Sequence, residues 1–203
     1  MESLIGTSAT TLCEMLEDRG YNVDTLREEF ENLSYKDMFA SETKYSEFTV
    51  EPDMTIFYCL QRDSTKATRP EIERVITALN EGNGQPAKFI LVVQEKLSSN
   101  MIGILEGYNK ELEPHGGAVQ WFNLRELQFN PSKHVLVPKH IKLSEDELKQ
   151  VLTTYKIKNR FQLPHIQRTD VMARYLGLRH GDVVMIQRLN QSSGVYTYYR
   201  CCA

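Results

Sequence analysis

The residues that come nearest to a catalytic arrangement are Pro52-Asp53 and, beyond a long apolar run, Gln94-Glu95-Lys96. Pro-Asp followed on the next strand by acid-x-Lys is the pattern of Mg²⁺-dependent nucleases. Two carboxylates converge there on the metal while the lysine polarises the attacking water. Here the second carboxylate position holds Gln94, which supplies one neutral oxygen instead of a charge. The histidines, His115, His134, His140, His165 and His180, are not paired at i+3 or i+4, and none neighbours a cysteine at metal-ligand spacing. Neither metal binding nor acid–base catalysis has a motif behind it. Cys13, Cys59, Cys201 and Cys202 show no paired spacing, and adjacent cysteines rarely chelate one ion together. They read as reduced thiols of a reducing compartment. Gly82-x-Gly84 precedes a strand, the reverse of the strand-loop-helix order that cradles phosphate. The sequence predicts no catalytic residue, no metal, no cofactor and no small-molecule substrate.

Composition sets the frame for these side chains. With 203 residues, 41% hydrophobic and 25% charged, the chain can form one large core or two small ones. No apolar run approaches a membrane span, and no basic leader opens the sequence, so a soluble intracellular protein is expected. The formal net charge of −3 conceals a division. From Pro131 onward stand 12 Lys and Arg against 5 Asp and Glu, and before it 12 basic against 22 acidic side chains. Two domains with different electrostatic tasks follow from that split. A basic half can bind nucleic acid or dock on an acidic protein surface.

The first half reads as helices alternating with buried strands, an α/β layer structure. Thr7 or Ser8 is placed to cap a helix with Leu12, Met15 and Leu16 inward, stopped by Gly20. Asp24 is placed to cap a second, carrying Leu26, Phe30 and Leu33. Tyr45 to Val50 and Met54 to Leu60 read as strands, and Ile72, Val75, Ile76 and Leu79 form a helical stripe after Pro70. The continuous run Phe89 to Val93, within a strand from Ala87 to Gln94, suits burial on both faces. Ser98 or Ser99 is placed to cap a helix with Ile102, Leu105 and Leu112 inward, and Ala118 to Phe122 reads as a further strand. Pairing order is not readable. In the second half Ser144 and Glu147 form a capping box before Leu148, Val151, Leu152 and Tyr155, which predicts a helix over roughly 145–155.

The stretch from Leu163 to Arg200 has the grammar of a short capped helix feeding a two-stranded ribbon. Pro164 keeps Leu163 extended. Asp170 caps a helix carrying Met172, Tyr175 and Leu176, and Gly177 stops it. Gly181-Asp182 turns the chain, Val183 to Arg188 runs out, and Val195 to Arg200 returns antiparallel with Tyr196 and Tyr198 on one face. Nothing in it is reaction chemistry; it reads as a docking surface.

Leu-Pro-x-Ile-Gln at 163–167, Ala-Arg-Tyr-x-Gly at 173–177, Gly-Asp-Val-Val-x-Ile at 181–186 and the Arg188 to Gly194 turn before a tyrosine-rich strand resemble one family. It is the fifth common subunit of eukaryotic nuclear RNA polymerases, whose C-terminal part corresponds to a small subunit of the archaeal polymerase. The resemblance reaches back to Leu136-Val137-Pro138. Two departures stand out: Asp170-Val171 where the family has Asp-Pro, and Arg188-Leu189-Asn190-Gln191 where it has Arg-Pro-Ser-Glu. In the first half only Arg19-Gly20-Tyr21 and Val92-Val93-Gln94 are similar to the family's jaw domain. Leu97-Ser98-Ser99-Asn100 stands where the family has a Thr-Pro-Ser-Ala segment facing downstream DNA.

The resemblance implies an α+β / α/β fold in two parts, a jaw-like α/β domain with a mixed sheet over 1–130 and a small α+β assembly domain over 131–203. It implies a non-catalytic subunit that docks on the largest polymerase subunit, assembles with other subunits, and forms part of the lower jaw, touching downstream duplex DNA weakly. Pro164, Ile166, Gln167, Arg174, Tyr175, Gly177, Arg188 and Arg200 are the implied partner-binding residues. Lys96, Ser98, Ser99 and Asn100 are the implied DNA-binding ones. The location implied is the nucleus, or a cytoplasmic viral factory or virion for a large DNA virus; no membrane is involved. The alternative reading is a free-standing nucleic-acid-binding module.

Overall fold

A computed structural model describes residues 2–32, 46–60, 88–94, 96–190 and 194–203. The expected helix around Ile72 to Leu79, the glycine-rich break at 82–86, and Leu33, Tyr45, Ala87 and Glu95 lie outside the described residues. The chain divides into two compact units, Met1–Phe129 and Asn130–Ala203.

The first unit is built on a four-stranded sheet, β1 (Ser46–Val50), β2 (Met54–Cys59), β3 (Lys88–Val93) and β4 (Ala118–Asn123), in that spatial order. β1 and β2 form an antiparallel hairpin, and β3 and β4 join in parallel, so the sheet is mixed. Every residue from Phe89 to Val93 is at most 3% exposed, as a parallel strand covered on both faces requires. Phe89, Leu91 and Val93 point with Phe57, Cys59 and Val119 to one side, where helix α3 (Ser99–Leu112) lays Met101 and Leu105 against them. On the other side are α1 (Glu2–Asp18) and α2 (Asp24–Asn32). There the Ser8 hydroxyl meets that of Tyr58 at 3.3 Å, and Phe30 packs on Phe48 and Tyr58 with ring centroids 4.6 and 5.8 Å apart.

Three local expectations need correction. Asp24 is the first residue of α2 and not its cap: the Val23 carbonyl accepts the Arg27 N–H, and the Asp24 N–H donates to Asn22 Oδ1. Helix α1 starts at Glu2, so Thr7 and Ser8 are not caps but lie inside it, their hydroxyls donating back to the Ser3 and Ile5 carbonyls. A hydroxyl that bonds backward within a helix carries the same sequence signature as one that bonds forward at its start. In α3, Ser98 is the N-cap and accepts from the Met101 N–H at 3.3 Å. The inward face, however, runs Met101, Leu105, Tyr108, Leu112, while Ile102 is only half-buried.

Strand β4 carries its own edge protection. The Asn109 side chain on α3 donates from Nδ2 to the Val119 carbonyl and accepts the Val119 N–H at Oδ1, both at 2.6 Å. One carboxamide thus makes the pair of bonds a neighbouring strand would make at that residue.

The second unit pairs its strands in the order β5 (Lys139–Lys142), β7 (Val183–Asn190), β8 (Gly194–Cys202), β6 (His165–Ile166). Helix α4 (Glu145–Thr154) opens with the complete capping box: Ser144 Oγ accepts the Glu147 N–H, and the Glu147 carboxylate accepts the Ser144 N–H at 2.8 Å. Its apolar face is narrower than the spacing implies. Leu148 is buried, Leu152 is half-buried and Tyr155 is 57% exposed, edge-on to Tyr199. Leu148 joins Leu163, Val183 and Cys201 in one core cluster. Helix α5 (Val171–Tyr175) is capped by Asp170, which accepts from the Met172 and Ala173 N–H groups, and ends at Gly177 with φ of +63°. Ile166, Ala173, Leu178, Val184, Ile186 and Cys202 form the second cluster. Among the described residues no helix is long and apolar enough to cross a membrane.

Removing the amide in Asn109→Ala strands a backbone donor and acceptor at Val119, and should cost roughly 1–3 kcal/mol. Asn109→Asp should cost at least as much at neutral pH, because its carboxylate would face the Val119 carbonyl. Urea melts read by Trp121, the single tryptophan and a member of the same strand, measure both.

Ser144→Ala should cost about 1 kcal/mol. Leu148→Ala should cost roughly 2–5 kcal/mol, and Leu152→Ala less. Hydrogen bonds from the Ser144 backbone, then from its side chain, hold the Glu147 carboxyl below the ordinary glutamate range. A lowered folded pKa stabilises fully above the unfolded value and is lost as pH falls through the folded one. The gap between wild type and Ser144→Ala, measured by amide exchange in α4, should therefore be full at pH 7 and narrow in acid.

Candidate docking surface

The pieces of a nuclease site are not brought together. In the parallel register of β2 and β3, Met54 pairs with Lys88 and Cys59 with Val93. Asp53 therefore sits at the entry of these strands and Lys96 beyond their exit, with the length of β3, roughly 17 Å at about 3.3 Å per residue, between the two ends. The Asp53 carboxylate is instead occupied. Lys88 Nζ reaches Oδ2 at 2.7 Å, the Tyr21 hydroxyl donates to Oδ1 at 3.1 Å, and Lys88 Nζ also donates to the Tyr21 oxygen at 3.0 Å. Partial burial works against the Lys88 ammonium, yet the hydrogen bonds to Asp53 and Tyr21 prevail and its pKa is raised. This closed ring of contacts ties the turn after α1 to the sheet.

The thiols are equally committed to structure. All four cysteines are free and buried. Burial pushes Cys13 and Cys202 each up to about 11, which keeps them as thiols near neutral pH. Among the described residues no group of His, Cys, Asp and Glu is arranged to hold a metal.

The residues marked between Leu163 and Arg200 separate into a frame and a surface. Ile166 and Tyr175 are 5% and 3% exposed and belong to the interior, and Gly177 supplies the left-handed turn after α5. Pro164, Gln167 and Arg188 are exposed, while Arg174 and Arg200 are half-buried. Arg200 donates to the His165 carbonyl at 3.0 Å and lies 5.9 Å over the Tyr198 ring. Tyr198 in turn stacks on Tyr196 at 6.0 Å. The rest of the frame is ionic and main-chain: Arg160 grips Glu145 with both guanidinium nitrogens at 3.0 and 2.9 Å, and also donates to the Gly181 carbonyl. Lys142 binds Asp182 at 2.6 Å, whose carboxylate also accepts the Arg179 N–H.

In the first unit Lys96, Ser98, Ser99 and Asn100 are all exposed at the start of α3. A helix start with an exposed Ser99 hydroxyl, a Ser98 hydroxyl whose oxygen caps the helix while its O–H can still donate, and one cation is compatible with a phosphate oxygen.

Sequence reasoning missed a group of exposed apolar side chains. Val135, Leu136, Leu189 and Val195 are 92%, 80%, 88% and 62% exposed. Their signal was available: Val135-Leu136-Val137-Pro138 has neither helical nor strand periodicity, so nothing in it assigns these side chains to a core.

Comparison with known proteins agrees with this geometry. Residues 129–202 match the family model of the RNA polymerase Rpb5 C-terminal domain. The chain is 32% identical over 194 residues to the DNA-directed RNA polymerases I, II, and III subunit rpabc1 of Dictyostelium discoideum, covering 95% of this chain and 93% of that protein. It is 33% identical over 204 residues to the RPABC1 subunit of Caenorhabditis briggsae, covering 94% and 91%. It is also 48% identical over 73 residues to the polymerase subunit Rpo5 of Pyrococcus horikoshii, covering 36% of this chain and 88% of the archaeal protein.

Proposed function

Because this chain belongs to the Rpb5 family of DNA-directed RNA polymerase subunits, we propose that Asn130–Ala203 docks it onto the largest subunit while Met1–Phe129 lies in the lower jaw beside downstream DNA. The chain is a non-catalytic structural subunit, and it assembles with other polymerase subunits. Eukaryotic relatives of this kind place it in general in the nucleus. In a large DNA virus the same assembly would take place in the cytoplasmic factory or the virion.

The observation that carries the reading is the convergence of three dispersed motif stretches on one small core. Ile166, Ala173, and Val184 with Ile186 come from three separate stretches and share one cluster, which leaves Pro164, Gln167 and Arg188 on the outside. Burial of Ile166 and Tyr175 gives them the task of holding these exposed neighbours in place. The archaeal relative, 88% of which is matched by only 73 residues of this chain, supports a unit of that size as a self-sufficient one. Jaw contact with DNA would be slight, since the acidic charge before Pro131 repels a duplex everywhere but at a local patch. Lys96 with Ser98, Ser99 and Asn100 is that patch.

Reconstitution of the polymerase with variants of this chain tests the division. Residues 130–203 alone should still enter the enzyme. Lys96→Ala should enter normally but lower the slope of DNA retention against log salt by about one unit. Exclusion of the truncated chain from the enzyme would show that docking is not confined to the second unit.

A further inference from the structure

We propose that the uncovered end of the second sheet receives a segment of another polymerase subunit that presents apolar side chains flanked by carboxylates. The inference rests on the chain being a polymerase subunit, and adds which face docks there and what chemistry it selects. By register, Leu189 pairs with Val195, Gln187 with Thr197 and Met185 with Tyr199, and Lys139 pairs with Gln187. Strand pairs share a face, so Leu189, Val195 and Lys139 lie on the same face as Tyr199. At the Tyr199 end α4 and the chain after it cover that face with Leu148, Leu152 and Ile157. At the Leu189 end nothing among the described residues covers it. A concavity of about 460 Å³ opens instead, walled by Val135, Leu136 and Pro138 on one side and by Leu189 and Val195 on the other. Val135, Leu136, Leu189 and Val195 are mostly exposed around it, and exposed apolar side chains grouped in this way mark a contact.

Charge identifies the occupant. Lys139 and Arg188 stand among the lining residues, and none of these is acidic. Lys139 shares the face of Leu189, whereas Arg188, paired with Tyr196, leaves the strand on the opposite face at the rim. The unit has only 5 acidic side chains, and each is engaged elsewhere within it. Glu145 holds Arg160, Asp146 holds Lys149, and Asp182 holds Lys142. Glu147 closes the capping box and Asp170 caps α5. An acid that pairs with these cations therefore comes from outside the unit. The main chain does not invite strand addition on this wall. The Leu136 N–H is taken by His134 Nδ1 at 3.2 Å, the Val137 N–H by the His134 carbonyl at 2.9 Å, and Pro138 has none. Recognition is left to side chains: apolar groups into the concavity, a carboxylate onto Lys139 and another onto Arg188 at the rim.

The test uses the full chain, tagged, expressed in its own cells and purified with the polymerase. With p-benzoylphenylalanine replacing Leu189, irradiation should join the chain to a polymerase-subunit peptide that contains apolar residues flanked by Asp or Glu. The same probe replacing Val171, an exposed apolar residue on α5, should not label that peptide. The double variant Leu136→Ser, Leu189→Ser should recover at least about tenfold less polymerase than wild type, as expected for loss of a central apolar contact. Lys139→Glu with Arg188→Glu should lose as much at low salt. All four side chains are exposed, so circular dichroism should show both variants folded. If wild type and both variants recover polymerase equally, or the cross-link falls on a second copy of this chain or on a segment without carboxylates, the proposal is wrong while polymerase membership stands. If wild type itself recovers no polymerase subunits, the reading beneath it fails as well.

Discussion

The second unit depends on a main-chain clasp around Cys201–Ala203. The Cys201 N–H donates to the Pro164 carbonyl at 2.8 Å, the Cys202 N–H to the Asp182 carbonyl at 2.8 Å and the Ala203 N–H to the Ile166 carbonyl at 3.0 Å. The Cys202 carbonyl accepts the Gly181 N–H at 2.9 Å. Each such bond adds about 1 kcal/mol net, but a broken one leaves a buried group unpaired at a higher cost. Cys201 and Cys202 are wholly buried, one in each core cluster, so the clasp joins two cores that would otherwise share only a sheet. The Leu-Pro-His-Ile stretch, the Gly-Asp turn and the last strand are tied together here. Side-chain volume matters as much as hydrogen bonding: a residue larger than cysteine at either position would have to displace Val184 or Leu148.

This explains why the unit tolerates an exposed face. Its rigidity comes from the clasp, the caps at Asp170 and Ser144, and the Arg160–Glu145 pair, none of which needs the hairpin tip. The tip is free to present Leu189, Val195 and Arg188 to a partner. The first unit uses its polar groups differently, closing Tyr21, Asp53 and Lys88 on one another and Asn109 on Val119. These contacts hold the first unit together through its own polar groups.

Much of the architecture was legible from local signals. Ser144 and Asp170 start their helices where the sequence puts them, and of the two serines it offers for α3, Ser98 is the cap. The run Phe89 to Val93 becomes a doubly covered parallel strand, and the two strands after Gly181 pair antiparallel. What stayed hidden depends on tertiary context. Thr7 and Ser8 carry cap chemistry but bond backward, because apolar residues before them extend the helix toward Glu2. Met101 displaces Ile102 from the inner face of α3, since both fit the period and only the sheet decides. The Asn109–Val119 contact spans a helix and a strand whose pairing order the sequence does not state. Of the partner-binding residues implied by the family resemblance, a pattern of types could not separate frame from surface, because Ile166 and Pro164 are neighbours in one motif and differ only in burial.

A clasp complete before assembly would leave docking to the exposed face of the second unit. Amide hydrogen exchange in the free chain and in the purified polymerase measures both parts at once. The clasp amides of Gly181, Cys201, Cys202 and Ala203 should already exchange slowly in the free chain. Assembly should add protection mainly over 135–139, 187–189 and 195–196. Clasp amides that become slow only in the polymerase, or protection that gathers in Met1–Phe129 instead, would contradict the account.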